Sequence, residues 1–259
     1  MSQNIYLNEI TQFKKANAVL IQGLPGLGFV GKIAADFLVD QLKPLKLAEL
    51  YSRYIALPDG DLGISVELDG TFELPKYEFH AYENENQALI ILTGKIQPAA
   101  WGQYAVAARV LDYACKLGCG SVVALGGHII QSKRPDVVYA IGSSKDIIDE
   151  LKKQKVQLAQ AGAVKGAFGV LLGLAQQRNM PCLGLLGATL GTYPDLGAAR
   201  NVLRILVNMY QLPVTLEEID KKILDMESRV KRFQEFQVGT RDSDQQQPNA
   251  PPVPRGYIS

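Results

Sequence analysis

The sequence predicts an α/β fold of three layers, with a mixed, largely buried sheet. Three observations carry that expectation. Continuous apolar runs, among them AVLIQG (18–23), ALIILTG (88–94), SVVALGG (121–127) and CLGLLGAT (182–189), read as strands covered on both faces. In the second half such runs alternate with segments of helical period. Between Gly63 and Thr93 the pattern turns to period two around Asp69-Gly70, a tight-turn signal that calls for antiparallel strands beside the parallel ones.

Taken in order, a polar start precedes AVLIQG, which feeds a glycine-rich loop, GLPGLGFVG (23–31). Lys32 to Leu42 has helical spacing, with Ile33, Phe37 and Leu38 on one face and Pro44 as a stop. LKLAELYSRYIA (45–56) is a strand of mixed polarity. ISVEL (64–68) and TFEL (71–74) make a hairpin, and YEFHAY (77–82) and ALIILTG continue as strands. Trp101 to Leu117 is a helix ended by Gly118 and Gly120. SVVALGG and VVYAIGS (137–143) follow as strands, and Asp146 to Lys153 is a short helix capped by Ser144. Lys165 to Arg178 is a helix rich in small residues, and Ala198 to Tyr210 is a helix that starts just after YPDLG.

Thr215 to Val238 is the most regular helix, opened by the capping-box pair Thr215 and Glu218. Leu216, Ile219, Ile223, Met226, Val230 and Phe233 recur at alternating spacings of three and four, a narrow seam with charged residues on the other faces. Such a seam serves either packing on its own domain or self-association into a homo-oligomer. From Gly239 the composition becomes polar and proline-rich, which cannot build a core. The expected organisation is therefore one domain over 1–238 and a disordered tail over 239–259. That tail carries an aromatic and a branched residue at its tip, Tyr257-Ile258, as a tethered recognition element would.

Composition narrows the function classes. Lys+Arg is 27 against Asp+Glu 26, and a net charge of +1 gives no long-range attraction for nucleic acid or an anionic membrane. The apolar runs are far shorter than a membrane span needs, and no secretory signal pattern opens the chain, so a cytoplasmic protein is expected. Cys115, Cys119 and Cys182 contain no C-x-x-C pair and read as reduced core thiols. With two histidines and no clustered carboxylates, neither a metal nor another cofactor is expected.

The glycine loop tests a sharper idea. Gly26, Gly28 and Gly31 satisfy G-x-G-x-x-G, and Gly26 to Lys32 matches most of a phosphate-binding loop. Ile33 occupies the place of the magnesium-binding hydroxyl, however, and Glu49, the acid at about the right distance for a ribose, sits in mid-strand. The favoured reading is a sharp turn that brings a helix close to the sheet. His80 falls in an alternating strand and reads as a sheet-face residue; His128 follows Gly126-Gly127 at the end of a buried strand, where α/β proteins place active residues, although a core or turn role is the favoured reading.

GLPGLGFVG at 23–31, VVALGGH at 122–128 and the segment with Tyr193, Pro194, Asp195, Ala198 and Ala199 together resemble the proteasome assembly chaperone family, particularly its archaeal members. The resemblance spans roughly residues 16 to 235. It implies a non-enzymatic chaperone with a fold like that of nucleoside phosphorylases, acting on the proteasome α-subunit ring or core particle, alone or with a paralogous chaperone. It also implies docking through a C-terminal tail ending in an apolar residue, tyrosine and one further residue. Here Tyr257 stands one place earlier, after Gly256 and before Ile258 and Ser259, so pocket entry requires a one-residue shift of backbone. A flexible tail of some 20 residues spans on the order of 25 Å, enough to reach a pocket from a body resting on the ring. The partner-binding residues are thus Tyr257, Ile258 and Ser259. Two alternatives stand beside this one: a phosphorylase- or hydrolase-type enzyme binding a nucleoside or phosphate ligand near Gly26–Gly31 and His128, and an interaction scaffold unrelated to the proteasome.

Overall fold

The structure, a computed structural model, describes residues 4–57, 60–85, 87–131, 136–154, 156–226 and 228. Val230, Phe233, Tyr257, Ile258 and Ser259 lie outside them. The chain divides after Leu216. Up to that point the strands are β1 (Ile5–Glu9), β2 (Ala18–Gly23), β3 (Leu45–Ser52), β4 (Ser65–Val66), β5 (Phe72–Glu73), β6 (Lys76–Glu83), β7 (Ala88–Gly94), β8 (Cys119–Ile129), β9 (Val138–Gly142), β10 (Gln157–Leu158) and β11 (Cys182–Thr189). The helices are α1 (Val30–Leu42), α2 (Gln103–Lys116), α3 (Lys145–Lys152), α4 (Gly166–Gln177) and α5 (Leu196–Tyr210).

Among the described residues nine strands form one sheet in the order β1-β3-β6-β7-β2-β8-β11-β9-β10. The four central strands, β7, β2, β8 and β11, are parallel. β1, β3 and β6 add antiparallel on one side, and β9 pairs antiparallel with β11 on the other. The mixed sheet is thus the expected one. The period-two region supplies its antiparallel flank, while β4 and β5 stand apart as a two-residue-per-strand hairpin with Gly70 at φ 83°.

Every residue of β2, β7 and β11 is buried, which is why these segments are apolar without alternation. α1 and α5 pack on one face, and α2 and α4 on the other. Between α2 and the sheet lie Leu20, Leu50, Phe79 and Leu92 with Val110, Leu111 and Ala114, and Phe79 meets Tyr113 edge to face at 5.0 Å. Three helix starts shift slightly from expectation: α1 begins at Val30, α5 at Leu196 under an Asp195 cap, and α2 at Gln103 after a single 3-10 turn. Ser144 caps α3 as expected, accepting from the Ile147 N–H at 3.4 Å.

Four features depart from the sequence reading. β1 arises from the polar start, paired to β3 along its length, and β8 begins at Cys119, two residues before the expected Ser121. Cys119 and Cys182 are buried thiols, but Cys115 is exposed on α2. Beyond Leu216 the backbone is helical over 217–226, a start one residue later than a Thr215 cap predicts. In that seam Ile219 is 1% exposed and Met226 40%. No helix among the described residues is long and apolar enough to cross a membrane.

Candidate functional site

The three motif stretches, far apart in sequence, meet at the carboxyl ends of β2, β8 and β11. Gly28 is left-handed at φ 59°, and a Cβ there would stand 2.6 Å from Thr189 Oγ1. A Cβ on Gly31 would overlap the Leu125 carbonyl, and one on Gly127 would overlap the carbonyl of Leu27. Gly26 is different: its extended backbone suits any residue, and a Cβ there would make only an ordinary contact with Gln97. The loop is glycine-rich so that α1 and the loop can lie directly on β8 and β11.

Polar bonds lock the same junction. Asp195 donates its N–H to the Gly28 carbonyl at 2.8 Å. Its carboxylate accepts from Thr189 Oγ1 at 2.8 Å and from the Ala198 N–H at 3.0 Å, capping α5. Asp195 and Thr189 are both buried. Tyr193, by contrast, is 77% exposed, and Leu27, Phe29, Ile129 and Leu190 also reach solvent. Phe29 is left-handed at φ 53°, a strained conformation for a bulky residue.

Beside the junction, between the glycine loop and the start of α4, lies a cavity of about 520 Å³. Its apolar wall includes Leu24, Leu125, Phe168 and Leu186, and its polar groups are Gln22, Gln97, His128 and Lys165. The structure therefore does bring Gly26, Leu27 and His128 to one place. His128 is half-buried with its ring 4.4 Å from that of Tyr139. Gln97 fastens the rim, donating to the Pro25 carbonyl at 2.5 Å and accepting from the Ala167 N–H at 3.1 Å. The sequence reading missed Gln22, whose signal was being the single polar residue in an apolar strand; Gln97 and Lys165 carry no signal in sequence.

Lys32, the lysine of the loop, takes no part in this cavity. It sits on the α1 face, bound to Asp36 at 2.5 Å, with Thr93 donating to the same carboxylate at 2.8 Å. A second cluster nearby covers the antiparallel flank. Burial works against a charge on Glu49, but hydrogen bonds from Lys46 at 2.7 Å, Tyr51 at 2.6 Å and Lys76 at 2.9 Å override it and hold its pKa down to about 2. Glu78 is likewise held to about 2 by its neighbour His80 at 3.6 Å and by Lys46 at 2.5 Å, of which only the second is a hydrogen-bond distance. His80 is accordingly a sheet-face residue, and the cluster ties strands together; Glu49 is far from any ribose-binding role.

Because both carboxylates are depressed from an ordinary 4.5, their contribution is complete above that pH and is lost as pH falls toward about 2. Unfolding free energy is therefore expected to decline below about pH 5. Glu78→Gln is expected to cost on the order of 1–2 kcal/mol at neutral pH and to flatten the acid limb, as urea titrations across that range would record.

The chain matches the family model described as PAC2 family over residues 20–234. Among solved structures it resembles Pyrococcus furiosus PbaB, an archaeal proteasome activator, with 28% identity and a TM-score of 0.81, covering 89% of this chain and 99% of that one. It also resembles P. furiosus PbaA, an archaeal homolog of proteasome-assembly chaperone, with 28% identity and a TM-score of 0.79 over 94% and 97% of the two chains. An uncharacterized protein of Methanocaldococcus jannaschii is 30% identical over 223 residues, 85% of this chain and 84% of the relative.

Proposed function

Given that the chain belongs to the PAC2 family, we propose that it is a non-enzymatic, cytoplasmic proteasome-binding protein that assists α-ring assembly or engages the core particle. The likeness to a proteasome activator over almost that protein's whole length carries this reading. The interlocked motif junction supports it, since the glycines serve close packing and the loop lysine is spent on Asp36.

Contact with the α ring is assigned to the segment Tyr257, Ile258 and Ser259, with Tyr257 as the aromatic anchor. Self-association is assigned to the seam of Leu216, Ile219, Ile223, Met226, Val230 and Phe233, of which Met226 is an exposed apolar member while Ile219 is already buried in the single chain. An oligomer presents several tails to a ring of repeated pockets, so weak single contacts add through avidity. A paralogous chaperone in place of a second copy would use the same seam.

A pull-down with the full chain as bait tests this. Recombinant α subunits or complete core particles, or both, are expected to be retained. Preference for free α subunits marks an assembly factor, and preference for core particles marks a binder of the mature enzyme. Retention of neither contradicts the proposal.

A further inference from the structure

We propose that the cavity beside the motif junction binds a small organic monocarboxylate with an apolar, ring-sized body. It lies at the carboxyl ends of parallel strands, where open α/β sheets take their ligands, and its volume of about 520 Å³ suits a small molecule.

The first observation that points to a ligand is Gln22. Its side chain lines the cavity, is 4% exposed, and finds no hydrogen-bond partner among the described residues. Its amide is thus not sealed in protein but opens onto the cavity, as the one polar side chain of an otherwise apolar strand. A ligand oxygen or N–H entering the cavity satisfies that amide.

The second, independent observation is the charge around the opening. Lys165 is exposed and has no carboxylate partner among the described residues, and it precedes the first turn of α4, where the helix dipole adds positive potential. Neither aspartate nor glutamate lines the cavity, and His128 is the other titratable group on its wall. An anion is therefore welcome at this end, while Leu24, Leu125, Phe168 and Leu186 favour an apolar body further in.

The head group follows from counting donors. The Ala167 N–H is already held by Gln97, and Lys32 is engaged with Asp36 on the other face of the sheet. One ammonium and what remains of one helix turn match a single negative charge on two oxygens. A phosphate, with three oxygens and nearly two charges, would want more. Neither feature draws on the proteasome reading, and the test contains no proteasome, so the two fail separately.

The probe is 4-phenylbutyrate, titrated calorimetrically into the full chain beside 4-phenylbutyramide and 4-phenylbutyl phosphate. Saturable binding of the carboxylate is expected with a Kd of about 0.1–1 mM, as befits a fragment, and about tenfold tighter than the amide. Lys165→Gln should remove that preference for the acid. Gln22→Leu, which leaves the charge in place, should weaken both ligands severalfold while keeping the preference. Thermal melts of both variants confirm that they fold. No saturable binding of 4-phenylbutyrate up to about 10 mM would overturn the proposal. So would an acid preference that survives Lys165→Gln, or tighter binding of the phosphate.

Discussion

Gly31→Ala is expected to destabilise the body by about 3–5 kcal/mol, which for a chain of this size lowers Tm by roughly 10 °C. The added methyl overlaps the carbonyl of Leu125, a backbone atom in the middle of a fully paired sheet, so no flexible side chain can give way. Relief requires α1 to move off β8, and α1 also packs on β2 and α5. A neighbouring constraint makes this harder: a Cβ on Gly23 would itself overlap Ala35 and the Gly31 carbonyl, so helix and strand are already at closest approach. The informative control is Gly173→Ala in α4, where nothing lies within 4 Å of the new Cβ. There the better helix propensity of alanine should leave stability unchanged or raise it by about 0.5–1 kcal/mol. Paired denaturant titrations read both. A Gly31→Ala protein within about 0.5 kcal/mol of the parent would sink the close-packing explanation of the loop.

That explanation shows where the sequence was legible and where it was not. β2, β7 and β11 announce themselves because a strand covered on both faces needs no polar alternation. β1 does not, because IYLNE is an edge strand whose residues are only partly buried, and β10 is two residues long. The glycine motif was visible, and the two missing partners of a phosphate loop, a hydroxyl where Ile33 stands and a correctly placed acid, argued for a packing role. The order of the three motifs was visible too, but their meeting point was not. The bond between Thr189 and Asp195, and that between Asp195 and Gly28, span loops whose approach depends on the register of β8 and β11. The cavity was foreshadowed only by His128 and the loop. Gln22 went unremarked within its apolar run although it is the one polar side chain there, and Lys165 looked like any lysine before a helix.

The second large effect concerns the tail. Tyr257 is a large aromatic side chain in a stretch, from Gly239 onward, whose composition offers little else that is apolar. Truncating such an anchor typically removes 2 kcal/mol or more from an interface, roughly a thirtyfold loss of affinity. In an oligomer every tail carries the same lesion, so the loss of avidity exceeds that of one contact. Tyr257→Ala alone should therefore reproduce most of the defect of deleting residues 254–259, while Ser259→Ala should have a small effect. Both positions lie outside the body over Met1–Leu216, whose thermal stability is expected to be unchanged.

The most direct test of the proteasome role is co-sedimentation with core particles of the full chain and of a form lacking residues 254–259. The full chain should travel with the particle and the shortened form should stay behind, with the two melting at the same temperature. Co-sedimentation undiminished by the deletion would contradict the assignment of α-ring contact to Tyr257, Ile258 and Ser259.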